Sequence, residues 1–320
     1  MKILITGASG YLGANIIKYL FANGHDTIAC CRKLSPSKEK KLRDFNSNII
    51  QGDILDEITL IKARESRPDI VIHLASLDQK ESETNIDKAT RVNVLSTWKL
   101  LDTFQDTSLS KFIYFSTIQV LGHLAKGLIS EDYKINPRNN YALTHLLSEQ
   151  IMDFYRSKSS FQPLTIRLAN GYGSPVFPDN NCWWLVVNDL CRMAFHEGKI
   201  VLQSDGRPLR DFIHLNDINQ ALAILIETPN NLLRNTYHLA SSNTYSILEL
   251  ALSIKQIFKS RYNRDIPVIT SKGVFSEDST ITMDNKYKLD ISSLESLGFH
   301  PALGIEQGIH ELFNYFDQSN

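Results

Sequence analysis

Lys2-Ile3-Leu4-Ile5-Thr6-Gly7-Ala8-Ser9-Gly10-Tyr11-Leu12-Gly13 opens the chain with a short apolar run that breaks on three spaced glycines. Beyond it, Leu12, Ile16, Ile17 and Leu20 fall at helical spacing, and Asn23-Gly24 supplies a left-handed stop. The direct reading is strand, tight turn, helix. Gly7 permits the turn, Gly10 lets the backbone come close to a bound pyrophosphate, and Gly13 lets helix and strand approach each other. Free amides and the dipole at the helix start favour phosphate charge there. A purely structural glycine turn is the alternative, and the strand–turn–helix context favours a dinucleotide cradle.

The same alternation continues outward from that stretch. Strands are predicted at Lys2–Thr6, Thr27–Cys31, Ile49–Gln51, Ile70–Leu74, Phe112–Ser116 and Leu164–Leu168. Helical segments are predicted at Leu12–Ala22, Thr90–Phe104 and Tyr141–Tyr155. Such alternation predicts an α/β fold, a doubly wound Rossmann parallel sheet covered on both faces. After Asn170 the pattern loosens, but the helix Asp217–Glu227 and the strand Thr236–Ala240 look as if they return to the first sheet. The expected division is 1–170 plus about 212–242 for the dinucleotide. About 171–211 plus 243–320 would form a smaller, discontinuous α/β substrate domain.

Composition narrows the class. The 320 residues are 42% hydrophobic and 22% charged, with a net charge of −1, the profile of an ordinary globular protein. This balance gives no general pull towards nucleic acid or anionic lipid. No apolar run reaches the roughly 20 residues of a membrane span, and the start lacks a signal-peptide layout, so a cytoplasmic location is expected. Cys30, Cys31, Cys182 and Cys191 form no CxxC pair and read as small packing residues. The nine histidines lack HxxxH or HExxH spacing, so no metal site is expected.

The end of the second strand should meet the adenosine ribose. An acid there would bind the 2′-hydroxyl, but the chain reads Cys30-Cys31-Arg32-Lys33. Arg32, with Lys33, can pair with a 2′-phosphate, which favours NADP(H) over NAD(H). Two solvated loop cations are the other reading. Asp53, after Gly52, either accepts a bond from the adenine amino group or simply closes a turn.

These pieces together resemble the extended short-chain dehydrogenase/reductases, the NAD-dependent epimerase/dehydratase family, over nearly the whole chain. Besides the glycine motif, the resemblance is carried by His73-Leu74-Ala75-Ser76, Asn93 and Phe115-Ser116-Thr117-Ile118-Gln119-Val120-Leu121-Gly122. Asn170-Gly171-Tyr172-Gly173 and Arg210-Asp211-Phe212-Ile213-His214 extend it. The resemblance implies a cofactor wall of Gly7, Ser9, Gly10, Tyr11, Leu12, Gly13, Arg32, Asp53, Ile54, Leu74, Ala75, Ser76 and Asn93. It implies that Thr117 bonds the reacting oxygen, that Tyr141 passes the proton, and that Asn170, Asn188 and Arg210 hold a sugar nucleotide's diphosphate. It also implies a homodimer through the helix bearing Tyr141 and the helix before it.

One departure bears on the chemistry. Where the family pattern is Tyr-x-x-x-Lys, this chain reads Tyr141-Ala142-Leu143-Thr144-His145. The two side chains share a helical face. A lysine charge about 5 Å from the phenol is worth roughly 3 kcal/mol at an effective dielectric near 20. That would lower the tyrosine pKa by about 2 units. A neutral His145 supplies no such field, though it can bond a cofactor ribose. Reduction uses a protonated tyrosine and oxidation first needs the tyrosinate, so histidine hurts oxidation more. In a second departure, Ile118-Gln119 stands where the family's 4,6-dehydratases carry Asp-Glu; neither side chain titrates, which disfavours water elimination.

Three expectations follow for a nucleoside-diphosphate sugar as partner. The first is a 4-keto-sugar reductase moving hydride at C4. The second is a 4-epimerase or dehydrogenase with tightly held NAD. The third is a catalytically silent binding protein that keeps the fold and has lost the lysine. Trp183 and Trp184 read either as aromatic walls for the ligand or as core.

Overall fold

The computed structural model describes residues 1–275 and 286–319. Its centre is a seven-stranded, all-parallel sheet. The strands are Lys2–Thr6 (β1), Asp26–Cys31 (β2), Asn48–Gln51 (β3), Ile70–His73 (β4), Lys111–Thr117 (β5), Gln162–Leu168 (β6) and Thr236–Leu239 (β7). Their order is β7-β6-β5-β4-β1-β2-β3. The order reverses between β1 and β4, and such a reversal opens a crevice beyond the strands' C-terminal ends. Strands buried on both faces should read as unbroken apolar runs. β1 and β5 do so, with Ile3, Leu4, Ile5, Phe112 and Ile113 wholly buried.

The helix Tyr11–Ala22 follows β1 directly, and Gly24 takes the expected left-handed φ of 75° beyond its end. The later chain returns as its pattern suggests. Leu215–Glu227 lies against Tyr11–Ala22, and β7 pairs in parallel with β6 at the sheet edge. The predicted helix over 90–104 is α-helical only from Ser96; Thr90–Leu95 forms a π-helical turn. Hydrophobic spacing cannot foresee such a turn.

A second hydrophobic cluster gathers Tyr172, Leu190, Phe212, Leu250, Ile254 and Phe313, among others. Strand Asn170–Tyr172 runs parallel to Leu209–His214, which pairs antiparallel with Thr244–Ser246. Ser246 and Glu249 form a reciprocal capping box on the helix Ile247–Tyr262. Tyr287, Leu289 and Phe299, expected in the second domain, pack into the first cluster instead. The cause is pairing of Tyr287–Leu289 with Gly127–Ile129, a strand too short to show in the sequence. Among the described residues no helix is long and apolar enough to cross a membrane.

Candidate active site

The glycine turn sits at the C-terminal end of β1. A Cβ on Gly13 would lie 2.4 Å from the Gly7 carbonyl oxygen and 2.8 Å from Ala8 Cα. One on Gly7, whose φ is 69°, would meet Ala75 N at 3.0 Å. Helix and strand therefore touch through bare backbone. Beneath the turn, Thr6 Oγ1 accepts from the amides of Leu74 and Ala75 and gives its own proton to His73 Nδ1 at 2.7 Å. His73 then carries its proton on Nε2 and gives that bond to Thr97. Burial holds His73 neutral, with its pKa down to about 3.

A groove of about 330 Å³ runs from this turn along the ends of β2 and β4. Gly7, Ser9, Gly10, Arg32, Asp53, Ile54, Leu74, Ala75 and Ser76 all line it. Tyr11 and Leu12 line the neighbouring cavity of about 190 Å³, with Thr117, Tyr141 and Asn170. The bare glycine backbone and the cations Arg32 and Lys33 suit an adenine dinucleotide laid across the switch point.

Two expected contacts lie elsewhere. Asn93 is buried: it accepts from the Leu77 amide at 2.8 Å and donates to Thr144 Oγ1 at 2.9 Å. It ties the loop after β4 to the first turn of the Tyr141 helix, and does not face the groove. Asn188 is also buried, accepting from Gly173 N and donating to Gly173 O and the Tyr11 hydroxyl. Its amide is consumed inside the protein and is not free for a diphosphate.

Thr117 ends β5. Its Oγ1 accepts from the Gln119 amide at 3.2 Å, leaving its own proton for the cavity. Tyr141 stands in the first turn of the helix Asn140–Arg156, capped by Asn139 on the Ala142 amide. Asn139 also donates to Gln119 Oε1 at 2.9 Å, joining the helix start to the turn after Thr117. Burial raises the Tyr141 phenol to about 12, and the negative Asp78 adds to the shift. Tyr141 therefore keeps its proton at neutral pH.

His145 takes a different place from the one a cleft-facing lysine would hold. It is 2% exposed, and its Nδ1 shares a 2.7 Å bond with the Tyr114 hydroxyl of β5. Nε2 is buried and, among the described residues, without a hydrogen-bond partner. Burial lowers its pKa to about 4, so the imidazole is neutral near pH 7. It stands edge to face with Tyr141, the ring centroids 4.4 Å apart. One turn further, Glu149 accepts from Ser116 at 2.5 Å and forms a bidentate pair with Arg167 on β6. The ion pair fastens the helix to β6, and the Ser116 bond fastens it to β5, the strand that ends in Thr117.

The small cavity continues into one of about 680 Å³ lined by Gln119, Arg138, Asn170, Trp184 and Arg210, among others. Arg210 is exposed, and among the described residues its side chain bonds its neighbour's carbonyl, Leu209 O. Asp211 does not pair with it: its Oδ1 is held by Ser241, and burial raises its pKa to about 7. The tryptophans divide, Trp184 facing the cavity and Trp183 stacking on Phe316 at 5.4 Å. Arg138, Gln79 and His123 line the cavity without any motif to announce them.

Residues 173–180 cross above the glycine turn. Tyr11 donates to Gly173 O at 2.7 Å, Asn180 donates to Ser9 O at 3.0 Å, and Lys38 pairs with Asp179 at 3.1 Å. All four cysteines are free and buried, as packing residues should be. Among the described residues no group of side chains is placed to hold a metal ion.

Comparison with known proteins agrees with this geometry. The model of the NAD dependent epimerase/dehydratase family matches residues 3–240. Low-salt glycan biosynthesis protein Agl12 of Haloferax volcanii is 23% identical, covering 99% of this chain and 98% of that protein. The dTDP-D-glucose 4,6-dehydratase of Dictyostelium discoideum is 24% identical over 98% of this chain and 81% of its own length. Among solved structures, UDP-glucuronic acid 4-epimerase from Bacillus cereus, in complex with UDP-glucuronic acid and NAD, superposes with a TM-score of 0.83 at 23% identity. All of both chains is covered. UDP-glucose 4-epimerase from Thermotoga maritima gives 0.84 at 22% identity, over 100% of this chain and 99% of that one. With the glycine cradle, Thr117 and Tyr141 converging on one crevice, the chain is an enzyme of the NAD dependent epimerase/dehydratase family, the sugar-nucleotide-modifying branch of the extended short-chain dehydrogenase/reductases.

Proposed function

We propose that the protein is an oxidoreductase acting on a nucleoside-diphosphate sugar, and that its favoured reaction is reduction of a 4-keto sugar with NADPH. The observation that carries the direction is the neutral, buried His145 beside a Tyr141 whose phenol stays protonated. A nicotinamide held beside Thr117 and Tyr141 would supply hydride chemistry at the sugar carbon. Tyr141 gives its proton to the oxygen formed, and Thr117 bonds the same oxygen. Asn170 and Arg210 hold the diphosphate, Arg210 through charge and aligned donors. Gly7, Ser9, Gly10, Leu74, Ala75 and Ser76 hold the dinucleotide, with Arg32 on a 2′-phosphate and Asp53 towards the adenine. Residues 1–170 with about 212–242 serve the dinucleotide, and about 171–211 with 243–320 the sugar nucleotide, although Tyr287, Leu289 and Phe299 pack on the dinucleotide side.

A 4-epimerase with retained NAD is the second reading. It is favoured by the NAD-bound epimerases among the similar structures, and by the segment fastened across the glycine turn. The Ile118-Gln119 pair argues against dehydration, although several relatives bear that name. Leu143, Leu147 and Phe154 are exposed on one helix and Trp98 on the preceding one, which supports a homodimer through these faces.

The test is the purified protein with NADPH or NADH and a panel of UDP- and dTDP-4-keto sugars. Stoichiometric NADPH oxidation supports the reductase. Interconversion of C4 epimers without net cofactor use supports the epimerase. Tight cofactor binding with no hydride transfer to any sugar supports a silent binding protein and sinks both.

A further inference from the structure

We propose that Arg138 is a specificity residue whose guanidinium takes a carboxylate on the sugar, so that the substrate is a nucleoside-diphosphate uronic acid, acidic at C6. The inference rests on the sugar-nucleotide reading given above and deepens it.

Among the described residues, the wall of the larger cavity carries two guanidiniums, Arg138 and Arg210, and no carboxylate. Elsewhere arginines find acids: Arg167 pairs with Glu149, Arg192 with Asp189 and Arg261 with Asp317. The three arginines that line the ligand grooves, Arg32, Arg138 and Arg210, have no ion pair among the described residues. The functional reading gives Arg32 a 2′-phosphate and Arg210 a diphosphate. Arg138 is left without an anion, and its side chain makes no hydrogen bond among the described residues either.

A freely solvated arginine needs no partner, but the base of this one is fixed. Residues 136–139 lie along the turn that follows Thr117. Asn136 donates to Val120 O at 2.9 Å, and Asn139 donates to Gln119 Oε1 at 2.9 Å. Gly122, at φ 70°, makes room for the crossing. A Cβ there would run into the Asn136 carbonyl and stand 3.3 Å from Arg138 Cγ. The stem of Arg138 is thus pressed against the turn, and the residue joins the cavity wall three positions before Tyr141.

The pyranose ring then selects where the anion sits. C1 carries the diphosphate, which Asn170 and Arg210 hold from the strands Asn170–Tyr172 and Leu209–His214. C4 lies across the ring from C1, and its oxygen goes to Thr117 and Tyr141. Of the carbons flanking C4, C3 carries a hydroxyl, and C5 carries C6, which can be a carboxylate. C6 therefore falls beside the turn on which Arg138 packs. A hydroxymethyl group would leave the guanidinium to water, whereas a carboxylate accepts two parallel N–H bonds from it.

The experiment measures binding to the full chain by calorimetry, with NADPH or NADH present. The ligands are pairs that differ only at C6: UDP-glucuronic acid against UDP-glucose, and dTDP-glucuronic acid against dTDP-glucose. UDP and dTDP alone are the controls. In the unmodified protein the uronate should bind at least about tenfold tighter than its hexose, as a charge-assisted bidentate pair requires. Arg138→Met should raise the uronate Kd by about tenfold or more, while the hexose and free-diphosphate values move by less than about threefold. Arg138→Lys should keep part of the preference, a point charge replacing the fork. Equal affinity for uronate and hexose in the unmodified chain overturns the inference. So does an equal loss in Arg138→Met for uronate, hexose and free diphosphate, which would assign the arginine to the diphosphate. If neither the sugars nor UDP and dTDP bind, the sugar-nucleotide reading itself falls, and this inference with it.

Discussion

Tyr141 and His145 stand edge to face, 4.4 Å between ring centroids, with the phenol held protonated and the imidazole held neutral by burial. No positive charge therefore stabilises a tyrosinate from this helix position. His145→Lys should restore one. A charge about 5 Å away lowers a phenol by about 2 units, so sugar oxidation near pH 7 should rise by up to roughly 100-fold. Reduction should change by less than about fivefold, because the acid form is already in place. Initial rates in both directions across pH 6–9 test it; an equal change in both directions at every pH would refute the directional argument. In the unmodified enzyme, oxidation should climb with pH without a histidine inflection, since Tyr141 titrates only near 12.

Cofactor choice should depend on Arg32, which lines the groove at the end of β2 where an acid is missing. Arg32→Ala should weaken NADPH binding by roughly ten- to a hundredfold, the loss of a charge-assisted bond. NADH binding should barely move. Fluorescence titration with both dinucleotides decides, and equal losses would remove the 2′-phosphate from the argument.

The Glu149–Arg167 pair is buried, both side chains being about 5% exposed. Arg167→Met leaves a carboxylate stranded in the interior and should cost about 3–5 kcal/mol in urea unfolding. Replacing Glu149 by Leu at the same time should recover a large part of that loss. A single-variant cost below about 1 kcal/mol would show that the pair does not hold the Tyr141 helix to β6.

Stability should fall in mild acid. His73, His145 and His238 are pushed by burial to about 3, 4 and 4, below an ordinary 6.5. Between pH 6.5 and about 4 the unfolded chain binds protons that the folded chain refuses, so stability drops as pH falls through that window. Each histidine contributes a slope of up to about 1.4 kcal/mol per pH unit there. Asp211 works the other way. Its folded pKa of about 7 exceeds the usual 3.8, so its contribution is present at low pH and lost as pH rises towards 7. The histidines outnumber it, and the urea midpoint at pH 5 should lie below that at pH 7. A flat or inverted profile would contradict the neutral buried histidines.

Leu143 and Leu147 are each 42% exposed on the Tyr141 helix, and Trp98 is 48% exposed on the preceding one. Leu143→Glu with Leu147→Glu should convert a dimer to a monomer in sedimentation, with the circular dichroism unchanged. A monomeric unmodified chain would remove the proposed interface.

The sheet was legible because parallel strands buried on both faces write themselves as apolar runs, and because Gly7, Gly10 and Gly13 admit few other readings. Motifs that encode position along one element pointed to Thr117, Tyr141, Asn170 and Arg210, and these residues line two adjoining cavities. Asn93 and Asn188, expected at the ligands, bond inside the protein instead, and no sequence pattern foretells it: an amide serves a ligand or a neighbouring backbone equally well, and only packing decides which. The bond from Tyr114 to His145 joins residues 31 positions apart on a strand and a helix, and nothing local announces it. Arg138 entered the cavity wall for the same reason, placed there by a loop without a pattern.

The bonds from residues 173–180 onto Ser9, Tyr11 and Lys38 also set an order of assembly. A growing chain makes the glycine turn of Gly7 to Gly13 and its supports at His73 to Ala75 first. The roof, from Gly173 and Asn180, arrives more than 160 residues beyond Tyr11 and Ser9. Until then the turn is an open ledge, and the nascent protein gains its enclosed dinucleotide seat only once Gly173 and Asn180 have been made.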